Sequence, residues 1–303
     1  MTDLEFDIAV FAVNEAPTIE RCLASIDRAA AGRRTRIAVL LNGTTDNSLD
    51  IIRALRLEHA ALSVYLFPAA DKANAINRFL YDLRLDAGTY FCTDAYTKVG
   101  PGALRAMEAA LRANPMALVA SAIPTNGRSA RTTRENTLKG GVISGQLYAL
   151  APDFVSRFVA AGLRLPLQIY RGDPLLGSMA AHKFDAIGTR WDNARIIGVP
   201  DATYEISPLS IFKWRDIMRQ YRREIRQARG RLENEAIKTI IYRAGYAALP
   251  GDANEMIRDW LKSHSLKARS LREGHFMRLA RRQLDRAGPP PAGLAPRLIL
   301  ERR

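Results

Sequence analysis

Phe6–Val13 reads FDIAVFAV and breaks off at Asn14-Glu15-Ala16-Pro17. An apolar run of that length predicts a buried strand, and Thr18–Ala29 behind it sets Ile19, Leu23 and Ile26 on one face of a helix. The alternation continues. Arg36–Leu41 is a second strand stopped by Asn42-Gly43, Ser48–Leu57 a helix, Leu62–Phe67 a third strand, Lys72–Leu83 a third helix and Thr89–Thr93 a fourth strand. Continuous apolar strands, each followed by a helix, predict an α/β fold with a mainly parallel sheet covered by helices on both faces. Ligands of such open sheets gather beyond the carboxyl ends of the strands. Four polar segments stand there: Ala12-Val13-Asn14-Glu15, Asn42-Gly43-Thr44-Thr45-Asp46, Asp71-Lys72-Ala73-Asn74 and Thr93-Asp94-Ala95-Tyr96.

Farther along, Met116–Ile123 predicts another strand and Gly140–Leu150 a glycine-loosened strand near the same edge. Arg195–Val199 and Ala202–Ile206 read as one more, interrupted by Pro200-Asp201. From Leu209 the pattern turns helical and basic, with candidate helices at Ile211–Arg229, Leu232–Gly245 and Ala253–His264. Gly288–Gly293 reads as the start of a stiff, poorly ordered tail. The expected division is an α/β domain over residues 1–208, a basic helical region over 209–287 and a Pro-rich tail over 288–303.

The chain has 303 residues, 48% apolar and 25% charged, which is globular composition and leaves room for one large domain or two. Its net charge of +14 is uneven: residues 209–303 hold 22 Lys and Arg against 10 Asp and Glu, and residues 1–208 hold 23 against 21. Such a block favours an anionic partner such as a phospholipid surface, nucleic acid or a polyanionic substrate, or is a solvated helical face. For nucleic acid, Trp214, Tyr221, Tyr242 and Tyr246 interleave the bases too sparsely, so that partner is not expected. No run approaches the roughly 20 apolar residues of a membrane span, and the acidic start MTDLEFD is unlike a signal peptide. Cys22 and Cys92 stand alone, against a disulfide framework and a Cys-based zinc site, and a reducing cytoplasm is the expected compartment.

Several enzyme classes lack their motifs. No Gly-x-Gly-x-x-Gly follows the first strand, and neither a P-loop nor a Gly-x-Ser-x-Gly elbow is present. His59, His182, His264 and His275 have no metal-ligand spacing.

What remains is an order of motifs that resembles the family 2 glycosyltransferases, whose nucleotide-sugar fold is called GT-A. Their first strand ends in Pro/Ala-x-Asn-Glu, matched by Ala12-Val13-Asn14-Glu15 and followed here by Cys22-Leu23-Ala24-Ser25-Ile26. Their second ends in an Asp/Asn-Gly-Ser/Thr-Thr-Asp sequence, matched by Asn42–Asp46. A Lys-x-x-Ala-x-Asn segment follows, here Lys72–Asn77, then an Asp-Ala-Asp sequence with Pro seven residues after its first Asp, here Asp94-Ala95-Tyr96 and Pro101. Gly145-Gln146-Leu147-Tyr148 resembles the acceptor-side strand, and Gly172-Asp173-Pro174-Leu175-Leu176-Gly177 resembles Glu-Asp-x-x-Leu-Gly. The likeness covers roughly residues 6–225. Gln220-Tyr221-Arg222-Arg223 resembles the Gln-x-x-Arg-Trp of processive members, but Glu224 stands in place of Trp, so a plain basic helix is the better reading.

The resemblance implies an inverting transfer from a nucleoside-diphosphate sugar, UDP-linked in first place, to a glycan or lipid-linked acceptor. The enzyme would work in the cytoplasm or peripherally at the cytoplasmic face of an anionic membrane. The nucleoside would rest on Ala12, Val13, Asn14, Glu15, Asn42, Asp94 and Ala95, with Gly145, Gln146 and Arg222 on the acceptor side. Asp173 is implied to be the base that deprotonates the acceptor hydroxyl; an Asp before Pro is also an ordinary helix cap. Asp46 is a ligand or a helix cap. Lys72 faces the diphosphate, or is a surface lysine beside Asp71. The resemblance also implies a divalent cation, Mn²⁺ or Mg²⁺, yet Tyr96 replaces the second carboxylate, and a phenol is a poor ligand for a hard metal. Three readings follow: Asp94 holds the metal with Glu205, cations such as Lys72 replace it, or the site has decayed. The rivals are a nucleotidyltransferase, whose Gly-rich basic loop Ala12–Pro17 lacks, and a degenerate binding module using its basic helices.

Overall fold

The computed structural model describes residues 4–127, 129–207 and 214–302. β1 (Leu4–Ala12), α1 (Ile19–Ala29), β2 (Thr35–Asn42), α2 (Ser48–Ala54), β3 (Ala60–Phe67) and α3 (Lys72–Arg78) alternate as expected, and α3 runs on into a π-helical turn at Phe79–Leu83. β4 (Ala87–Asp94), β5 (Thr97–Val99), α4 (Ala103–Ala113), β6 (Val119–Pro124) and α5 (Ala130–Leu138) follow. The middle of the chain adds β7 (Leu147–Leu150), α6 (Pro152–Ala160), α7 (Gly172–Ala181) and β8 (Ile196–Ile206). Last come α8 (Trp214–Ala244), α9 (Ala253–Ser263), α10 (Leu271–Arg286) and β9 (Arg297–Arg302).

The described strands form one mixed, mostly parallel sheet in the order β5-β8-β6-β7-β4-β1-β2-β3-β9, with helices on both faces. β1 lies parallel to both β2 and β4, and β2 to β3, so the carboxyl ends of these four strands share one edge. β7 runs antiparallel to β4, which brings the residues that lead into it, Gly145 and Gln146, to that same edge. Alternate residues of β1 face opposite cores. Phe6, Ile8 and Val10 pack with Ile19, Leu23 and Ile26 of α1. Ala9 and Phe11 belong to the other core, with Phe79, Tyr148, Phe154 and, from α8 and α10, Leu232, Ile237 and Phe276. That second core runs across the expected division at residue 208.

Four sequence expectations need correction. The glycine-loosened strand shrinks to Leu147–Leu150, because Gly140 and Gly141 take left-handed φ values of 77° and 78° that leave extended geometry. β8 runs as one element through Pro200-Asp201, but its ladder to β6 is interrupted there: pairing stops at Ser121↔Gly198 and resumes, shifted, at Ile123↔Thr203, so the missing proline N–H costs no ladder bond. The two helices expected around Gly230 are one helix. There the glycine allows close approach: an added Cβ would lie 2.4 Å from Arg171 Nε and 3.1 Å from the Tyr170 ring. Finally, the tail is not loose at its end. Arg297–Arg302 pairs antiparallel with β3, covers what would otherwise be an exposed sheet edge, and ties down through Arg302 to the carbonyls of Leu55 and Arg53. Ile211–Phe212 and the flanking residues 208–213 lie outside the described residues. Among the described residues no helix is long and apolar enough to cross a membrane.

Candidate active site

The first two loops at the carboxyl edge are stapled to each other. Asn14 adopts φ 54°, and its Oδ1 accepts from the backbone N–H groups of Thr45 (2.8 Å) and Asp46 (3.2 Å). Asp46 answers by accepting from the Ala16 N–H at 2.9 Å, while its other oxygen accepts from the Ser48 N–H and hydroxyl at the start of α2. Asp46 thus braces the turn ahead of α2, whose N-cap position is Asn47. Thr44 donates to the Ala12 carbonyl, Glu15 accepts from the Thr18 hydroxyl at 2.8 Å, and Val13 is exposed. Two expected contacts lie beneath this surface. Asn42 is 1% exposed and its Oδ1 accepts from the Asp71 N–H, and Ala95 is buried with its N–H on the Phe11 carbonyl. Both are buried under the loops of this edge.

Asp71 caps α3 by accepting from the Asn74 N–H and reaches across to the Gln168 N–H at 2.7 Å. Lys72 thereby starts α3 with its side chain over the Phe11 ring, 5.4 Å from the centroid. Its ammonium lies 2.8 Å from Asp94 Oδ1 and 2.9 Å from Asp173 Oδ2. The surface-lysine alternative is excluded by these contacts, and so is the helix-cap alternative for Asp173, whose oxygens are engaged by Lys72 and by the Tyr148 hydroxyl at 3.0 Å. The three charged side chains are 32% (Lys72), 14% (Asp94) and 15% (Asp173) exposed, open enough for a small ligand and shielded enough for strong pairing. Burial opposes the ammonium, but Asp173 and Asp94 outweigh it and hold the Lys72 pKa above the ordinary lysine value. Burial pushes the Asp173 carboxyl up, and Lys72 only partly pulls it back.

Gly145 and Gln146 close the group. A Cβ at Gly145 would lie 2.6 Å from Asp173 Oδ2, so the glycine makes room for the carboxylate, and its carbonyl faces Lys72 Nζ at 3.4 Å. The Gln146 carboxamide accepts from the Tyr204 hydroxyl and donates to the Tyr96 hydroxyl, which in turn donates to Asp94 Oδ2 at 2.8 Å. Burial first, and then Asp94, push the Tyr96 phenol well above its ordinary pKa. Glu205 is not brought to Asp94: β5–β8 register sets it opposite Lys98, which it pairs at 3.1 Å. Arg222 is exposed on α8. Among the described residues no group of three His, Cys, Asp or Glu side chains is placed to hold a metal ion. Cys22 and Cys92 are buried free thiols.

The sequence profile described as Glycosyl transferase family 2 matches residues 7–163, just over half of the chain. The chain belongs to this family. It is therefore a glycosyltransferase that works with a nucleotide-sugar donor. No relative of this transferase is found among curated proteins. Among solved structures it is similar to S. aureus TarS 1-349 in complex with UDP-GlcNAc (TM-score 0.59, 14% identity, covering 94% of this chain and 82% of that one). It is also similar to the mannosyltransferase PcManGT from Pyrobaculum calidifontis in complex with GDP-Man and Mn²⁺ (TM-score 0.56, 16% identity, 93% and 81% covered). At these identities the likeness is one of fold, and it agrees with the GT-A architecture.

The residue of this transferase that sequence reasoning missed is Glu233. Its fully buried carboxylate accepts from the N–H groups of Tyr170 (3.0 and 3.1 Å) and Arg171 (3.1 Å), at the entry to the helix that carries Asp173. Arg229, one turn earlier, pairs with it at 3.0 Å and donates to the Gln168 carbonyl. In sequence the pair has the spacing of any exposed helical ion pair, which is why nothing marked it. Glu233→Ala would leave the partly buried Arg229 guanidinium and two N–H groups without their acceptor. A destabilisation of about 3–5 kcal/mol is expected, read as a lower urea midpoint at unchanged m-value.

Proposed function

We propose that this transferase moves a sugar with inversion from a nucleoside diphosphate, UDP in first place, to a hydroxyl of a glycan or lipid-linked acceptor. The observation that supports this reading is the single ammonium joining Asp94, at the end of a nucleotide-side strand, to Asp173, beside the acceptor-side Gly145 and Gln146. In the proposed step Asp173 takes the acceptor proton while the hydroxyl oxygen attacks the anomeric carbon. The bond from that carbon to the diphosphate oxygen breaks, and the nucleoside diphosphate leaves with the electron pair. Lys72 lies where the growing negative charge of the leaving group is best compensated. The donor rests against Ala12–Glu15 and Asp94, above the buried Asn42 and Ala95.

TarS was solved with a uridine nucleotide and PcManGT with a guanosine one, so the base is the part of the proposal that competition decides. UDP and GDP are to be compared by thermal shift, where a ligand at a hundredfold excess over Kd adds about 2.7 kcal/mol of stability. Asp94→Ala is expected to weaken the preferred nucleotide about tenfold or more, the scale of a hydrogen bond to a charged group. Unchanged affinity in a calorimetric titration of that variant would remove Asp94 from the donor site. The +12 of residues 209–303 supports an anionic surface as a further partner, and exposed Arg278, Arg282 and Arg286 recur every four residues along α10.

A further inference from the structure

We propose that Lys72 does for this transferase what a divalent cation would do between Asp94 and the donor diphosphate, so that nucleotide binding and transfer need no metal. The inference rests on the donor site proposed above. It comes from the chemistry of the donor set. A hard cation such as Mg²⁺ asks for about six oxygen ligands with their lone pairs directed at the ion. Here each oxygen of the two facing carboxylates already accepts a proton donor. Asp94 Oδ1 is on the Lys72 ammonium and Oδ2 on the Tyr96 hydroxyl, both at 2.8 Å. Asp173 Oδ2 is on the same ammonium at 2.9 Å and Oδ1 on the Tyr148 hydroxyl at 3.0 Å.

The position two residues after Asp94 is held by a phenol whose hydroxyl donates to Asp94 Oδ2, so it gives Asp94 a hydrogen instead of giving a metal an oxygen. The remaining carboxylate expected as a helper, Glu205, is across a strand pair on Lys98. A cation entering beside Asp94 would also meet the ammonium at close range and be repelled by it.

The ammonium is equipped for the task itself. Two of its three N–H bonds go to the carboxylates, and the third reaches the Gly145 carbonyl at a long 3.4 Å, which an anionic phosphate oxygen outcompetes. Arg21 of α1 brings a second cation to the backbone of Tyr96. Its guanidinium donates to the Ser207 hydroxyl at 2.6 Å and to the Tyr96 carbonyl at 3.5 Å. Lys72 is the cation paired with both Asp94 and Asp173.

The test titrates UDP and GDP into the full chain by calorimetry, once in EDTA and once in Mn²⁺, and follows nucleoside diphosphate release under both conditions. Affinity for the preferred nucleotide is expected to agree within about twofold between EDTA and Mn²⁺, with release persisting in EDTA. Lys72→Met is expected to weaken binding about tenfold or more, Mn²⁺ should not restore it, and Lys72→Arg should retain most of it. Tyr96→Asp, which supplies the second carboxylate, should acquire a Mn²⁺-dependent gain in affinity. Binding or release by the native chain only in Mn²⁺ overturns the proposal and leaves the donor site standing. Failure to bind either nucleotide under both conditions overturns the donor site, and this proposal with it.

Discussion

Asp173→Asn is expected to lower turnover by roughly 10² or more while nucleotide affinity stays within a few-fold of the native value. The amide keeps the shape of the carboxylate and can still accept from Tyr148 or Lys72, so the cleft keeps its form. Lys72 also retains Asp94 at 2.8 Å. What the variant lacks is a group that takes up a proton. The pH profile gives a second reading of the same assignment. A base works only when deprotonated, so activity falls as pH drops through its pKa. Burial raises the Asp173 pKa above the ordinary aspartate value despite the pull of Lys72. The acid limb should therefore lie at higher pH than a solvated aspartate would give, and it should be missing from the residual activity of Asp173→Asn. A variant that turns over at the native rate moves the base elsewhere.

Removal of everything after Ser207 should leave a chain that does not fold. The basic region carries a large part of the second core: Ile225, Leu232, Ile237 and Ile241 of α8, Met256 and Ile257 of α9, and Phe276, Met277 and Leu284 of α10 are all buried there. Truncating one such side chain to alanine costs about 2–5 kcal/mol, and a whole domain is stable by only about 5–15 kcal/mol. The loss of nine exceeds the total. The cut also removes Glu233 from the Tyr170–Arg171 turn and β9 from the edge of β3, leaving a buried loop unpaired and a sheet edge open to aggregation. Circular dichroism and soluble yield decide the matter: a cooperative melt from the 1–207 fragment would show that the α/β part stands alone. Any attraction of this protein to anionic surfaces is thus to be measured on the whole chain.

The amino-acid sequence by itself determined the sheet and its working edge. Strands such as Phe6–Val13 and Arg36–Leu41 are buried on both faces, so they are written as unbroken apolar runs, and each is followed by the helix that covers it. Parallel strands deliver their carboxyl ends to one side, which placed Asn14, Asn42, Lys72 and Asp94 at one edge from their order alone. Reach and partner were decided by the tertiary structure. Lys72 and Asp173 are 101 residues apart, and they meet because β7 enters antiparallel beside β4 and α7 begins behind Gly145. Nothing along the chain marked Glu233, whose role comes from the 170–171 turn packed onto it, and Arg297–Arg302 looked like a loose end until β3 offered it hydrogen bonds. Asn42 and Glu205 had the right chemistry at plausible positions, but one was committed to the Asp71 N–H and the other to Lys98. The physical reason is common to all of these. Burial of a strand or helix face is written locally, in a period of two or of 3.6 residues, whereas the pairing of charges depends on distances of about 3 Å that no spacing along the chain records.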